Sequence, residues 1–546
     1  MYRVFAACIK EGVFPEIWKS GKLVVIPKGN DKPLTDPKAY RPITLLPVLG
    51  KLLERLIIHC APCLFNQNSS AQHGFTRGRS TVTAINAVMD TAHNTTAAYC
   101  QLVMLDISGA FDNAWWPMIL VKAKQVGCAP NIYRLLVSYF LQRRIGLFAG
   151  RQVVWKTSTM GCPQGSVLGP TLWCLLLDDL LRLPVPEGVS MVAYADDVTV
   201  LIEASSRAQI ERSAASTLSA AVDWGIRNRL GFSPAKSLTM TIKGKFKRSP
   251  TILMNGVSIP HVSQARLLGV IIDEARSYVQ HALFIGEKAS NCFGKVSRVS
   301  TSTWGVKYRA LRVLYIGTYV ATVVYAAAVW YRRSSFYSVR SALLRTQRPA
   351  LMLLTKAYRS TSTAALPVLA GMLPADLEVV RAGRIAVEGS KLTGKERNKL
   401  KREVIADVVT QWQERWDASQ DGRELYMFFP NIGTRLKCGW IEPDYVSSQM
   451  LSGHGCFNGR LKKLVLREDD MCYCGTSVET REHILWHCEL YAEEREEMLD
   501  ALERKECGPV YHRDLTASKR NFQLFKQFAS KWHSKRKVME KEHNKK

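Results

Sequence analysis

Val192-Ala-Tyr-Ala-Asp-Asp-Val-Thr-Val-Leu-Ile202 consists of two short apolar runs joined at Asp196-Asp197. Two β-rich runs meeting at a two-residue polar joint predict a hairpin, and side chains at such a joint leave the sheet and point beyond its end. The pattern places two carboxylates side by side at a sheet edge. Adjacent acids repel, so an isolated Asp-Asp pair reads most simply as a solvated turn. A third carboxylate on a neighbouring strand tip changes that reading, because divalent ions need several shared oxygen ligands. Leu102-Val-Met-Leu-Asp-Ile-Ser-Gly-Ala-Phe-Asp112 supplies one, as an apolar strand that ends in Asp106 and runs into a Gly-Ala turn. Antiparallel pairing of this strand with the hairpin would bring Asp106 beside Asp196 and Asp197.

Three blocks in this order resemble those of reverse transcriptases: Asp106 with an aromatic, Phe111, after it; Gly161-Cys-Pro-Gln-Gly-Ser-Val-Leu-Gly-Pro170; and Tyr194-Ala-Asp-Asp197. More narrowly, the chain resembles over nearly its whole length the Pol proteins of non-LTR, type-1 (LINE-like) retrotransposons, especially the arthropod elements that insert into ribosomal RNA genes. The resemblance implies an α+β right-hand polymerase. Fingers and a palm with an antiparallel sheet are expected over residues 1–275, a helical thumb over 276–388 and a charged helical connector over 389–430. A C-terminal nucleic-acid-binding domain, with a small Cys-Cys-His-Cys zinc knuckle and a basic tail, is expected over 431–546. It also implies RNA-directed DNA synthesis with an RNA template, a DNA primer or target DNA, and deoxynucleoside triphosphates. Asp106 and Asp196 would bridge two catalytic Mg²⁺ ions, with Asp197 more peripheral and the backbone carbonyl of Ile107 as a further oxygen. The alternative is a catalytically inactive, transposon-derived RNA-binding protein.

Size and charge agree with a large nucleic-acid-handling protein. The chain has 546 residues, 47% of them hydrophobic, enough for several cored domains. Its formal net charge of +28 is spread along the whole length, which favours a long polyanion track over one local patch. Fourteen scattered cysteines lack the dense spacing of a secreted disulfide scaffold and point to a reducing intracellular compartment. The expected place of action is the nucleus, with cytoplasmic assembly. No signal peptide opens the chain. Val313–Trp330 is apolar enough to weigh as a membrane span, but its three tyrosines and flanking arginines favour a buried helix. The strand expected in Ile17–Lys28 reads as already inside a fold, and the related Pol proteins begin earlier with an endonuclease of the apurinic-site type, so a fragment is expected.

Several residues acquire roles from the resemblance. Lys28 and Arg41 match the fingers residues that clasp the nucleotide triphosphate, for which a planar guanidinium is well suited; plain solvated charge is the competing reading. Arg77 and Arg79 are candidates for template contact or surface charge. Gln164 and Gly165 correspond to the positions against the nascent base pair. Phe111 occupies the sugar-gate position, with core packing as its other reading, and Lys236 is a candidate to meet the leaving pyrophosphate. Family members often carry Asn before that Lys; here the segment is Ser233-Pro-Ala-Lys236. A helix is expected from a Ser205/Ser206 cap to about Leu230, with Gly231 as its stop.

Cys472, Cys474, His483 and Cys488 form a second constellation, with the donor types of a closed, structural zinc site. The first pair is separated by a single residue, and His487 competes with His483. The relatives end in such a motif, preceded by a segment like Ser452-Gly-His-Gly455, so one Zn²⁺ is expected, with folding of the small knuckle coupled to its binding. The C-terminal region is also the only place left for an endonuclease contribution. Beyond it, Phe522, Phe525 and Phe528 suggest one helix face, and the terminal Lys/Arg run suggests a disordered polyanion-binding arm.

Overall fold

The computed structural model describes the chain except residues 30–32, 34, 37–38, 65–68, 302–303, 505–507 and 544–546, and the side chain of Ala149. Two units emerge, Met1–Arg276 and Ser277–Lys546.

The first unit contains β1 (Ser20–Pro27), β2 (Tyr40–Leu45), β3 (Tyr99–Leu105), β4 (Ile107–Ser108), β5 (Arg144–Ala149), β6 (Gln152–Thr157), β7 (Val189–Tyr194), β8 (Asp197–Ala204), β9 (Gly231–Phe232) and β10 (Leu238–Lys243). Four-stranded sheets of order β2-β1-β5-β6 and β10-β3-β8-β7 result. The strand expected from Ile17 starts only at Ser20, because Glu16–Trp18 form a 3₁₀ turn in which Trp18 packs against Phe5 and Phe14.

The second sheet decides the site. β3 lies antiparallel between β8 and β10, with Leu105 opposite Val198 and Tyr99 opposite Ala204. Both central strands are apolar on both faces because helices cover them: Leu102, Val103, Val200 and Ile202 are buried, and the last three share a core with Trp173 and Leu176 of helix Gly169–Leu181 and with Leu218 and Trp224 of helix Arg207–Asn228. The β7–β8 hairpin closes at Tyr194 opposite Asp197. Its two turn residues are therefore Ala195 and Asp196, one position earlier than the sequence pattern suggested, and Asp197 opens β8. The cause is Ala195, which takes the left-handed conformation (φ 58°) that a tight hairpin requires.

Helix Arg207–Asn228 starts as expected, with Ser206 Oγ accepting the Gln209 N–H at 3.3 Å. Its stop differs: Arg229 takes the left-handed capping position (φ 56°), and Gly231 instead enters β9 opposite Ser108.

The second unit is helical. The apolar stretch expected as one buried helix is broken into Tyr308–Tyr315, a π turn at Ile316–Val320, Ala321–Val323 and Ala327–Trp330, with Ala326 left-handed (φ 51°) at the break. Among the described residues no single helix is long and apolar enough to cross a membrane; the pair Tyr308–Val323 and Ala327–Arg333, bent by 51°, passes on length and composition. Tyr315, Tyr319, Val323 and Trp330 of this stretch are buried.

Helix Gly394–Ala418, expected as a connector, buries Val404, Val408, Trp412 and Trp416. All but Val404 join one core with Phe457, Cys472, Cys488, Phe525 and Trp532. The last helix, Lys519–His543, contains the face expected from Phe522, Phe525 and Phe528, and it carries on to His543 through most of the Lys/Arg run expected as a disordered arm, which corrects that expectation. Its Phe522, Phe525, Phe528 and Trp532 fill that core, and Arg536 is itself buried against Glu479, at 2.9 Å from Nε to Oε1.

Candidate active site

Asp106 follows the last residue of β3, and the register that sets Leu105 against Val198 carries it to the end of β8 where Asp197 lies. Its backbone is held from the other side. Ser233 N–H donates to the Asp106 carbonyl at 2.9 Å, and the Asp106 N–H donates to Ser237 Oγ at 3.2 Å. This fixes the Ser233–Ser237 turn against the strand tip and puts Lys236 Nζ 3.6 Å from Asp106 Oδ2.

The hairpin turn has its own support, in a residue that sequence reasoning passed over. Gln72 is 1% exposed, and its Oε1 accepts the N–H of Ala195 at 3.1 Å and that of Gly74 at 2.7 Å. On the backbone, His73 N–H donates to the Ala193 carbonyl and Ala193 N–H to the Ala71 carbonyl, so the segment runs parallel to β7 at this point. Gly74 is required here: a Cβ would sit 2.1 Å from Ala195 N. Arg79 braces the same segment by donating to the Gln72 carbonyl at 2.9 Å, whereas Arg77 is exposed. A glycine two residues after a glutamine was the only available signal, and it is a weak one.

A cavity of about 690 Å³ opens in front of the carboxylates, lined by Asp106, Ile107 and Asp196 together with Lys28, Arg41, Phe111, Gln164, Gly165 and Lys236. The loop Gly161–Pro170 is pinned to β2, since Thr44 N–H donates to the Gln164 carbonyl at 2.7 Å and a Cβ on Gly165 (φ 122°) would lie 2.5 Å from the Thr44 carbonyl oxygen. Gln164 Nε2 donates to Asp112 Oδ1 at 3.0 Å, a partnership between residues that no motif spacing links. Phe111 stacks on Trp173 at 5.2 Å and meets Phe75 edge-on at 5.9 Å, so its ring is fixed while still lining the cavity.

Charge is unbalanced where the acids meet. Burial, then Asp196 and then Asp106, push Asp197 up to about 6. Asp196 is raised too, by burial first and also by Asp106. Both residues are nonetheless exposed to solvent. Among the described residues Asp106 Oδ2 makes no hydrogen bond, although the Lys236 ammonium faces it at 3.6 Å. A carboxylate oxygen with no hydrogen bond, beside two mutually repelling carboxylates, has the character of a hard-cation site, and the three acids fit a divalent metal.

The family model for reverse transcriptase (RNA-dependent DNA polymerase) matches residues 26–272, which hold all of these groups. A Pol polyprotein from type-1 retrotransposable element R1 of Bradysia coprophila is 33% identical over 513 residues, 91% of this chain and 51% of that protein. Two Pol polyproteins from R1 elements of Nasonia vitripennis are 31% identical over 350 residues and 30% identical over 338, and are covered to 85% and 100% of their lengths, against 61% and 58% of this chain. The chain belongs to the reverse transcriptases of type-1 retrotransposable elements. It spans about half the length of the Bradysia relative. Membership of the reverse transcriptase family implies use of a divalent metal.

This reverse transcriptase carries a second donor cluster, in its other unit. The ligand atoms of Cys472, Cys474, His483 and Cys488 all lie within 4.8 Å of one another. Cys474 Sγ is 3.2 Å from His483 Nε2 and Cys472 Sγ is 3.7 Å from Cys488 Sγ. His483 thus joins the thiols and His487 does not. Burial lowers the pKa of His483, which favours the neutral, ligating imidazole. Three thiols and an imidazole at this spacing fit zinc. The knuckle is not a separate small domain, as Cys472 and Cys488 are buried in the core described above.

Proposed function

We propose that the chain is an RNA-directed DNA polymerase that copies element RNA into DNA at a genomic target in the nucleus. One observation carries this reading: Asp106 meets Asp196 and Asp197, at the turn and the start of β8, beside a cavity whose walls also bring Lys28, Arg41, Lys236 and Phe111. Asp106 and Asp196 would hold two Mg²⁺ ions, with Asp197 and the Ile107 carbonyl as outer oxygens. When bound, such ions activate a primer 3′-hydroxyl and neutralise the charge on a triphosphate. Lys28 and Arg41 hold the triphosphate, and Lys236 donates a proton or a charge-assisted hydrogen bond to the departing pyrophosphate. Gln164 and Gly165 form the floor under the new base pair. Phe111 leaves no room for a ribose 2′-hydroxyl. The residues contribute mainly alignment, which accounts for a large part of the barrier in such displacements.

Cys472, Cys474, His483 and Cys488 bind one structural zinc, and the second unit, with the helix Lys519–His543 packed beside that cluster, binds template or target nucleic acid. The discriminating experiment is RNA-primed extension with Mg²⁺ on RNA and DNA templates. The parent protein extends on RNA, while Asp196→Asn binds template but extends by less than about one part in a thousand, as expected when transition-state charge stabilisation is removed. Extension by Asp196→Asn at the parental rate would refute the assignment.

A further inference from the structure

A second polar cavity, of about 540 Å³, lies within the C-terminal unit, between the Ser360–Ala364 loop and the Ser452–His454 turn. Its walls are rich in donors. Arg348 crosses from helix Tyr337–Thr355 to donate to Thr363 Oγ1 at 3.0 Å and to the Arg359 carbonyl. His454 bridges the two segments, with Nδ1 3.0 Å from Ser360 Oγ and 2.9 Å from an Arg460 terminal nitrogen. Arginine only donates, and the same nitrogen lies 3.3 Å from Nε2, so it pairs with whichever ring nitrogen carries the lone pair. Burial, then Arg460 and Arg348, lower His454 to about 4, which keeps the ring neutral.

Two groups in this wall are unsatisfied. Thr361 Oγ1, on a residue 1% exposed, and Arg460 Nε are buried with no hydrogen-bond partner among the described residues. Buried polar groups of this kind are rare because they forfeit their bonds to water. Two in one cavity, both able to donate, call for an acceptor from outside the chain. Asp421 and Glu424 also line the cavity, but neither meets these donors, and Glu424 lies 3.7 Å from Arg481. A tetrahedral oxyanion accepts from several directions at once, which matches donors arriving from separate segments.

We propose that this cavity is a binding site for a backbone phosphate of nucleic acid. The inference rests on the nucleic-acid role assigned above to the second unit. It adds a seat for that ligand apart from the Cys/His cluster, and Thr361 and Arg460 are its positioning donors.

Thr361→Val separates a ligand site from a packing defect. The full chain is tested by fluorescence anisotropy with a short labelled RNA over a series of salt concentrations, without nucleotide or divalent metal, and by thermal melting without ligand. Thr361→Val melts at or above the parental temperature, since an orphaned hydroxyl has been removed, yet binds RNA about tenfold more weakly, the usual consequence of losing a hydrogen bond to a charged group. Arg460→Gln lowers the slope of log affinity against log salt by about one, as expected when one fewer phosphate is neutralised. Parental RNA affinity and salt slope in both variants would overturn the proposal. So would inorganic phosphate alone raising the melting temperature as much as RNA does, which would identify a free anion as the ligand. Because no nucleotide is present, this result is independent of the extension assay, and either proposal can fail while the other stands.

Discussion

Gln72 supports the turn that carries Asp196 through its amide: Oε1 accepts the N–H groups of Gly74 and Ala195, and Nε2 donates to the Ala195 carbonyl at 3.4 Å. Gln72→Ala leaves both N–H groups unpaired beside a left-handed Ala195, so the turn loosens. DNA synthesis by Gln72→Ala should be slower by about 100-fold, the scale at which small displacements of reacting groups are felt, with template affinity nearly unchanged. Single-turnover extension and template titration on one preparation separate the two effects; a parallel loss of both would point to unfolding instead. Phe111 acts on the substrate side of the same cavity. Phe111→Val opens that wall, and incorporation of ribonucleotides relative to deoxyribonucleotides should rise by about one to two orders of magnitude, in line with the discrimination a fitted pocket achieves. An unchanged ratio in primer extension would leave Phe111 with a packing role only. These residues differ in how far the sequence betrays them. Asp106, Asp196 and Asp197 stand out because each ends or opens an apolar run, and such runs with a charged end have few other readings. Gln72 has no such signature, since its importance comes from burial and from two partners that only coordinates reveal. Phe111 reads as either gate or core, and its contacts with Trp173 and Phe75 explain why: the ring is packed and also lines the cavity.

Among the elements, hairpins and amphipathic helices were readable, and their ends less so. The hairpin turn fell one residue early because Ala195, not Asp197, takes the positive φ. Arg229 likewise displaced Gly231 as the end of its helix. In both places a non-glycine residue holds a left-handed conformation that local sequence preference assigns to glycine or to polar turn formers. The far end of the final helix, beyond the aromatic face that the sequence did show, was misread for a different reason. A run of Lys and Arg looks solvated unless a buried acid waits for one of them, and Glu479, far away in sequence, accepts two hydrogen bonds from Arg536. The Cys/His cluster shows the same dependence on distant parts, since Cys472 and Cys488, which flank the π turn bearing His483, share a core with Trp532 and Phe457. Cys472→Ser is expected to lose one zinc per chain by elemental analysis and to weaken binding of structured template or target, while extension on a homopolymer changes little. Equal metal content in variant and parent would exclude zinc at this cluster.

For the whole molecule, composition indicated the class of partner but not the division of labour. A net charge of +28 calls for polyanions, yet it does not say that the chain folds as two units or that residues from Gly394–Ala418 and from the last helix build one core. Those are long-range contacts, which local periodicity does not encode. Motif order, by contrast, carried the central sheet, because β3 and the β7–β8 hairpin are each recognisable alone and can pair in one productive register. Acids far apart in the chain are proposed to share one metal site. Replacing Mg²⁺ with Fe²⁺ and mapping the backbone cuts made by locally generated hydroxyl radicals tests this most directly. Convergence predicts two cuts of similar strength, one around Asp106 and one around Asp196–Asp197, both lost in Asp196→Asn. Cleavage near only one of these segments would contradict it.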